Sequence, residues 1–295
     1  MLTESAPREE TSRYRIKPSI GVAIGVVVVY SALFLGIGIS SGIKYADWFD
    51  TTHNAYRTAV LGLAVGTVFL IAFAAYARWD MLWKDRGRLK MTPLLWTLIG
   101  LFAALTAVRF AGVSYSKIPA SLMVAILLAG ILVGFAEELL FRGVFLRAMR
   151  EGARPEGQAA LWTAIAFGLF HLPNAFMGID KAAIVQVFLA AGTGFVLYTF
   201  RRVSTVIWVA MAAHGLWDIS TFLDGQAGAG AGHNIALLGA FVMGALGLFA
   251  MLVTRRRDRH ISMTPHGIMT SGNETAEPAA AWTVIGARRH DRSSV

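Results

Sequence analysis

Eight apolar runs, each close to the length that crosses a bilayer, constrain this chain more than any other feature of its sequence. A transmembrane helix needs about 20 consecutive apolar residues, because the hydrocarbon core is about 30 Å thick. The runs occupy residues 20–40, 59–77, 93–113, 119–141, 159–176, 182–200, 203–223 and 234–254. The sequence therefore predicts an all-α fold, a polytopic membrane helix bundle with about eight transmembrane helices.

The composition agrees with a membrane protein and excludes several kinds of chemistry. Hydrophobic residues make up 56% of the chain and charged residues only 15%, which is too apolar for a soluble domain of this length. The chain contains no cysteine. This absence excludes disulfides, cysteine nucleophiles and cysteine-ligated zinc sites.

The basic residues alternate between the connections of the predicted spans. If the N-terminus is cytoplasmic, five of the 27 Lys and Arg residues fall outside the cytoplasmic segments: Lys44, Arg57, Arg109, Lys117 and Lys181. We expect Arg109, near the outer end of the third span, to extend its side chain toward the interface. The bias predicts cytoplasmic N and C termini. The same bias explains the net charge of +9 without a nucleic-acid partner. The expected partner is membrane lipid.

The chain divides into three regions by composition. Residues 1–18 are expected to form a cytoplasmic N-terminal tail, and residues 19–254 the membrane bundle, with a motif-bearing core at 119–223. Residues 255–295 are poor in apolar runs and rich in Ser, Thr, Gly and charge, so a disordered, basic cytoplasmic tail is expected there.

Few ionisable residues fall inside the predicted spans. Of 18 acidic residues, only Glu137, Glu138 and Asp218 do so, and of seven histidines only His171 and His214. An acidic residue at the centre of a membrane helix costs about 3 kcal/mol on insertion scales, so such residues generally have a partner, a water-filled cavity or a chemical role. These five residues are therefore the candidates for a functional site.

The adjacent glutamates have different neighbours on a helix. Glu138 and Arg142 are four residues apart and share a face, whereas Glu137 is rotated by about 100° from Glu138. Arg142 is expected to neutralise Glu138, which leaves Glu137 directed into the bundle as a base or ligand. The alternative is a pair of acids that are simply solvated at the cytoplasmic interface beside Arg142 and Arg147.

The two histidines also occur at helical spacing. Phe167 precedes His171 by four residues, and Pro173 then bends or ends the helix. His214 and Asp218 share a helix face, where the carboxylate would orient the imidazole or share a water with it. A packing role for His171 remains open. At about 1.5 Å per residue, the predicted span ends place Glu137 roughly 10 Å closer to the cytoplasmic end of the bundle than the two imidazoles.

The ordered set of motifs resembles the CPBP family of intramembrane proteases, which includes the CAAX prenyl endopeptidases and bacteriocin-processing or Abi-like immunity proteins. The resemblance covers three motifs: Glu-Glu-x-x-x-Arg at Glu137, Glu138 and Arg142, Phe-x-x-x-His at Phe167 and His171, and His-x-x-x-Asn at His214, with Asp218 in place of Asn.

The resemblance implies a catalytic site of Glu137, Glu138, Arg142, His171, His214 and Asp218. In it Glu137 activates a water with help from His171, and His214 with the residue at position 218 stabilises the oxyanion or completes a metal site. An ionised Asp218 would repel an oxyanion, so it must be protonated, face a metal or hold His214. Glu137, His171 and His214 are the candidate ligands of a divalent metal such as zinc.

The sequence therefore predicts a metal-dependent, CAAX protease-like endopeptidase of a bacterial cell membrane, which cleaves a membrane-associated or lipidated peptide or protein in a cytoplasm-facing cavity. Two alternatives remain. A proton-coupled transporter would also place Glu, His and Asp inside the bundle. A non-catalytic immunity or scaffold protein would keep the motifs for packing.

Overall fold

The computed structural model describes residues 14–177, 182–228 and 230–270, and these residues form eight helices and one β-hairpin. The helices are α1 (Ile20–Ser40), α2 (Thr52–Ala77), α3 (Pro93–Gly112), α4 (Ala120–Met149), α5 (Glu156–Phe170), α6 (Ala182–Ser204), α7 (Ile207–Ala227) and α8 (Gly230–Arg257). The hairpin consists of β1 (Ile261–Thr264) and β2 (Gly267–Thr270). Each predicted span thus corresponds to one helix.

Six of these helices are long and apolar enough to cross a membrane: α1, α2, α3, α4, α6 and α8. The prediction of a helical membrane protein is confirmed. Of the other two, α5 has only 15 residues, and α7 carries His214, Asp218 and Asp224. The exact number of spans and the side of the termini remain predictions.

Local sequence signals account for several helix starts. Ser19 caps α1, because its hydroxyl accepts a hydrogen bond from the Val22 amide at 3.2 Å. Thr92 caps α3 in the same way, and Pro93 occupies the first turn, where its missing N–H has no cost.

Helix α4 continues beyond its predicted end at residue 141, as far as Met149. Its second half contains a π-helical segment, Leu139–Phe145, which starts directly after Glu138. The eight extra residues (149 minus 141) place Glu137 about 12 Å deeper in the bundle, at about 1.5 Å per residue. This extension removes the depth mismatch that the predicted span ends implied.

Helices α4 and α7 pack backbone against backbone. A Cβ atom added to Gly134 of α4 would lie 2.7 Å from the Gly215 nitrogen of α7, and one added to Gly215 would lie 2.8 Å from the Gly130 carbonyl oxygen. Only glycine leaves room for this approach. The contact brings the motif residues of the two helices together.

A buried ionic network joins the connections at the end of the bundle where α1 begins and α8 ends. We call it the basic end, and it comprises residues 78–90, 147–156, 201–206 and 255–260. Asp85 binds Arg150 at 2.9 Å and Arg201 at 2.6 Å, and Arg150 binds Glu156 at 2.6 Å. Burial alone would raise the pKa of Asp85, but the charges of Arg150 and Arg201 outweigh it and hold the pKa below its ordinary value.

The prediction of a disordered tail from residue 255 is wrong for residues 255–270. Helix α8 continues to Arg257, and Asp258 forms an ion pair with Arg202 at 2.5 Å. Strands β1 and β2 then pair antiparallel, with Met263 buried against Met81 and Leu89. The composition of this segment did not reveal that its few apolar residues, such as Met263, pack against residues of another connection. Residues 1–13 and 271–295 lie outside the described residues.

Candidate active site

A cavity of about 650 Å³ lies between the helices and contains the predicted site. Glu137, His171, His214 and Asp218 line it, whereas Glu138 and Arg142 are fully buried and are not part of its lining. The rest of the wall is mostly aromatic and aliphatic. The structure thus brings together acids and imidazoles from three helices around one space.

Glu138 is the residue that fixes the positions of its neighbours. Its Oε1 accepts a hydrogen bond from Arg142 Nη1 at 2.7 Å, the pairing that the four-residue spacing predicts. The same oxygen lies 2.8 Å from Nδ1 of His214. An ionised carboxylate only accepts hydrogen bonds, so Nδ1 of His214 carries a proton and Nε2 is directed away from Glu138.

Arg142 is held on three sides. Besides Glu138, its Nη2 donates to the Gly194 carbonyl oxygen of α6 at 2.5 Å, and its guanidinium lies 4.4 Å from the centre of the Phe167 ring. A charge-assisted hydrogen bond and a cation–π contact both strengthen when water is excluded. Arg142 therefore connects α4 to α5 and α6 immediately behind the cavity.

Glu137 faces the cavity, as the rotation between adjacent helical residues predicts. Its Oε2 is 3.9 Å from Nε2 of His214, which is longer than a hydrogen bond. Asp218 Oδ2 lies 3.7 Å from the same nitrogen. Of the three roles left open for Asp218, holding His214 is compatible with this ion-pair distance but not with a hydrogen bond, because the hydrogen bond from the imidazole goes from Nδ1 to Glu138.

His171 directly follows the last residue of α5. Its Nδ1 donates to the Phe167 carbonyl oxygen at 2.8 Å, so Nε2 is the acceptor atom. The Phe167 ring contacts both imidazoles edge-on, with centroid distances of 5.0 Å to His171 and 5.7 Å to His214. Phe167 therefore sets the spacing between the two histidines.

The same geometry does not form a metal site. Within the part of the chain that the structure describes, no three His, Asp or Glu side chains are close enough together to hold a metal ion. Nδ1 of His214 is bonded to Glu138 and Nδ1 of His171 to a backbone carbonyl, contacts that metal-binding histidines also make and that leave Nε2 of both rings uncommitted. Glu137, His171 and His214 are nevertheless too far apart to hold a metal as the structure has them, and metal dependence remains a prediction.

Arg109 lines the cavity, and the position predicted for it from the sequence is wrong. Its side chain was expected to reach the interface, but the residue is 5% exposed and lines the cavity. Its guanidinium lies 4.0 Å from the centre of the Trp217 ring. One signal was present in the sequence, because Arg109 is the only basic residue inside a predicted span.

Asn174 and Gln186 are also cavity residues that sequence reasoning missed. The Asn174 amide donates to Gln186 Oε1 at 3.1 Å, and both residues line the cavity near His171. Neither belongs to a motif, and amide residues beside a helix end gave no distinctive signal.

The cavity lies in the half of the bundle away from the basic end. Tyr45 and Trp48, in the connection between α1 and α2, contribute to its wall. Helix α1 starts at the basic end, so this connection is at the opposite end. The sequence predicts cytoplasmic termini and also a cavity that faces the cytoplasm. Because α1 starts and α8 ends at the basic end while the cavity lies in the other half, these two predictions cannot both hold.

Comparison with known proteins finds a family to which part of the chain is similar. A family model described as Type II CAAX prenyl endopeptidase Rce1-like matches residues 119–220, a range that starts just before α4, ends within α7 and includes all six predicted site residues. No curated protein and no solved structure matches the chain. The match confirms the resemblance to the CPBP intramembrane proteases over this range and supports a CAAX-type protease of the membrane in general terms.

Proposed function

We propose that this CAAX protease-like membrane protein is an endopeptidase, which hydrolyses a peptide bond in a membrane-associated or lipidated peptide or protein with a water activated by Glu137. The observation that carries the proposal is the meeting of Glu137, His171 and His214 around one cavity inside the bundle. The family match over the helices that supply these residues supports the same assignment.

Glu137 is the proposed general base. Its carboxylate removes a proton from water, the water oxygen attacks the scissile carbonyl carbon, and the carbonyl electron pair moves onto the oxygen. Nε2 of His171, as an acceptor atom, orients the same water. When the tetrahedral intermediate collapses, the C–N bond breaks and the proton on Glu137 passes to the leaving amine.

His214 is the proposed donor to the oxyanion. The Glu138 carboxylate on Nδ1 stabilises a doubly protonated imidazole, whose Nε2–H then faces the cavity. Asp218 Oδ2, at 3.7 Å, is too distant to capture that proton in a hydrogen bond of its own. In this arrangement Asp218 supports the charge on His214 and does not itself contact the oxyanion.

No observation on the described residues favours the transporter or the scaffold alternative over an enzyme. No step of the proposed mechanism passes through a metal. Dependence on a divalent metal such as zinc is a separate hypothesis, and a chelator added to the cleavage assay decides it: loss of cleavage that zinc restores would support the metal.

The proposal is tested by cleavage of a membrane-peptide library in liposomes that contain the purified full chain, with products identified by mass spectrometry. Glu137→Gln and His171→Ala should each lower cleavage at least 100-fold, since general base catalysis contributes about 10² to 10⁴ in rate. Thermal unfolding should show that both variants remain folded.

The matched control is Glu151→Gln, which changes an acid at the basic end that does not line the cavity. It should cleave like wild type. Wild-type cleavage by Glu137→Gln would eliminate the protease mechanism.

A further inference from the structure

The connection between α2 and α3 carries a row of exposed cations that the proposed mechanism does not use. Every second residue from 84 to 90 contributes to this row except where the chain has a glycine or an inward-facing residue. We call the four exposed side chains the cationic strip: Lys84, Arg86, Arg88 and Lys90. Between them, Asp85 forms buried ion pairs and Leu89 packs in a small core, so the alternation directs the cations outward.

The acids of the basic end do not neutralise the strip at the surface. Within the described residues none of these five acids is exposed, and each forms an ion pair with an arginine that is at most 2% exposed: Asp80, Asp85, Glu151, Glu156 and Asp258. Because the acids are paired from the inside, the positive charge of the strip is not balanced on the outer surface. This surface therefore favours an anionic partner.

The hairpin adds exposed apolar side chains beside the strip. Ile268 is 40% exposed and Met269 is 50% exposed. A Cβ atom added to Gly87 would lie 3.0 Å from Cδ1 of Ile268, so β2 lies against the strip between Arg86 and Arg88. Apolar groups next to cations are typical of protein surfaces that bind the headgroup region of a membrane.

The strip is also close to the level where the apolar surface of the bundle ends. Exposed aromatic side chains flank it on both helices, with Tyr76 near the end of α2 and Trp96 near the start of α3. Such aromatic residues are enriched at the interface between membrane and water. Lys90 precedes Pro93, the first residue of α3, by three positions. The cations therefore lie near the expected position of lipid headgroups.

We propose that the cationic strip and the exposed face of the hairpin form a binding surface for anionic phospholipid headgroups. Arginine donates paired hydrogen bonds to phosphate, and each Lys or Arg near an anionic membrane surface strengthens the attraction about fivefold. The bundle would thus collect anionic lipid around its basic end. This inference does not depend on the proposed function. The competing explanation is that these cations only fix the orientation of the chain.

A fluorescence measurement detects which lipids surround the strip. The chain has no cysteine, so Met269→Cys in the full-length protein takes a single bimane label on the hairpin. The protein is placed in nanodiscs of phosphatidylcholine with a minor fraction of phosphatidylglycerol. A doxyl quencher is carried on the acyl chain of one lipid or the other, at equal concentration. We expect the quenching by phosphatidylglycerol to be about threefold stronger or more.

Salt and strip variants should remove this preference. The Debye length falls from about 8 Å at physiological ionic strength to about 3 Å at about 1 M salt, so the quenching ratio should approach one. Joint replacement of Arg86→Gln, Arg88→Gln and Lys90→Gln should have the same effect at physiological salt. Joint replacement of Arg86→Lys and Arg88→Lys keeps the charge and should keep most of the ratio.

The matched control removes three exposed cations from the opposite end of the bundle: Lys44→Gln, Arg57→Gln and Lys117→Gln. It should keep the full quenching ratio. Equal quenching by the two lipids, which a role in orientation alone predicts, overturns the inference, and so does the absence of quenching by either lipid. An unchanged ratio in the strip variant, or an equal loss in the control, also overturns it.

Discussion

At the scale of single residues, the site depends on one carboxylate that serves two partners. Glu138 Oε1 binds both Arg142 and His214, and Glu138 and Arg142 have no exposed surface. A buried charge is tolerated only with such pairing, and removing one partner costs about 3–5 kcal/mol. The first of the two motif glutamates thus faces the cavity, while the second organises the residues behind it.

Replacement of Glu138 should affect activity and stability together. We expect Glu138→Gln to lower cleavage at least 100-fold, because an amide no longer stabilises a charged His214. The same change should lower the free energy of unfolding by about 3 kcal/mol, because Arg142 is left buried without its counter-ion. Cleavage rate per folded molecule and denaturant unfolding measure the two effects.

Asp85→Asn is the matched control, since it also removes a buried acid from an arginine pair but lies at the basic end. It should lose stability and keep the cleavage rate per folded molecule. An equal loss of catalysis in both variants would show that Glu138 acts through stability alone.

At the scale of elements, the contact of α4 with α7 positions the proposed catalytic groups. Glu137 and Glu138 are on α4 and His214 is on α7, and Gly134 and Gly215 lie at the interface between them. The π-helical segment Leu139–Phe145 follows the glutamates directly, and such segments often occur at functional sites. Close backbone packing lets short side chains from two helices meet.

A methyl group at Gly134 should separate the two helices. In Gly134→Ala the new Cβ would lie 2.7 Å from the Gly215 nitrogen, and backbone atoms cannot move away cheaply. We expect cleavage to fall about tenfold or more, and stability to fall by about 1–3 kcal/mol, the usual cost of overpacking. Cleavage assays and thermal unfolding provide the readouts.

Gly100→Ala on α3 has open space around the added methyl group and serves as the control. It should leave cleavage unchanged and raise stability slightly, because alanine favours helix over glycine. Full activity in Gly134→Ala would contradict the role given to the interface.

At the scale of the whole molecule, the bundle has two unlike ends. Buried ion pairs join the connections at the basic end, and the cavity occupies the other half. The positive-inside rule assigns the basic end to the cytoplasm. On that assignment the cavity lies in the half of the bundle away from the cytoplasm.

The absence of cysteine from the sequence makes this orientation directly testable. Lys44→Cys, between α1 and α2, and Arg88→Cys, between α2 and α3, are exposed positions at opposite ends. In intact cells a membrane-impermeant thiol reagent should label only Lys44→Cys, and after permeabilisation it should label both. Labelling of Arg88→Cys alone in intact cells would reverse the orientation and place the cavity on the cytoplasmic side.

The sequence by itself determined the helices and the candidate residues. Apolar length and helical spacing are local properties, so the eight runs located eight helices, and the four-residue interval predicted the Glu138–Arg142 pair. Helix ends were less accurate, as the extension of α4 to Met149 shows. Polar residues beyond an apolar run do not reveal whether a helix continues.

Only the tertiary structure decided which atoms meet between helices. The contact of Glu138 with His214, the stacking of Arg109 on Trp217 and the ion pair of Asp258 with Arg202 each join residues far apart in the chain. Spacing along one helix fixes a face but not the partner of that face. The partner depends on the tilt, rotation and backbone approach of neighbouring helices, which the glycines of α4 and α7 set together.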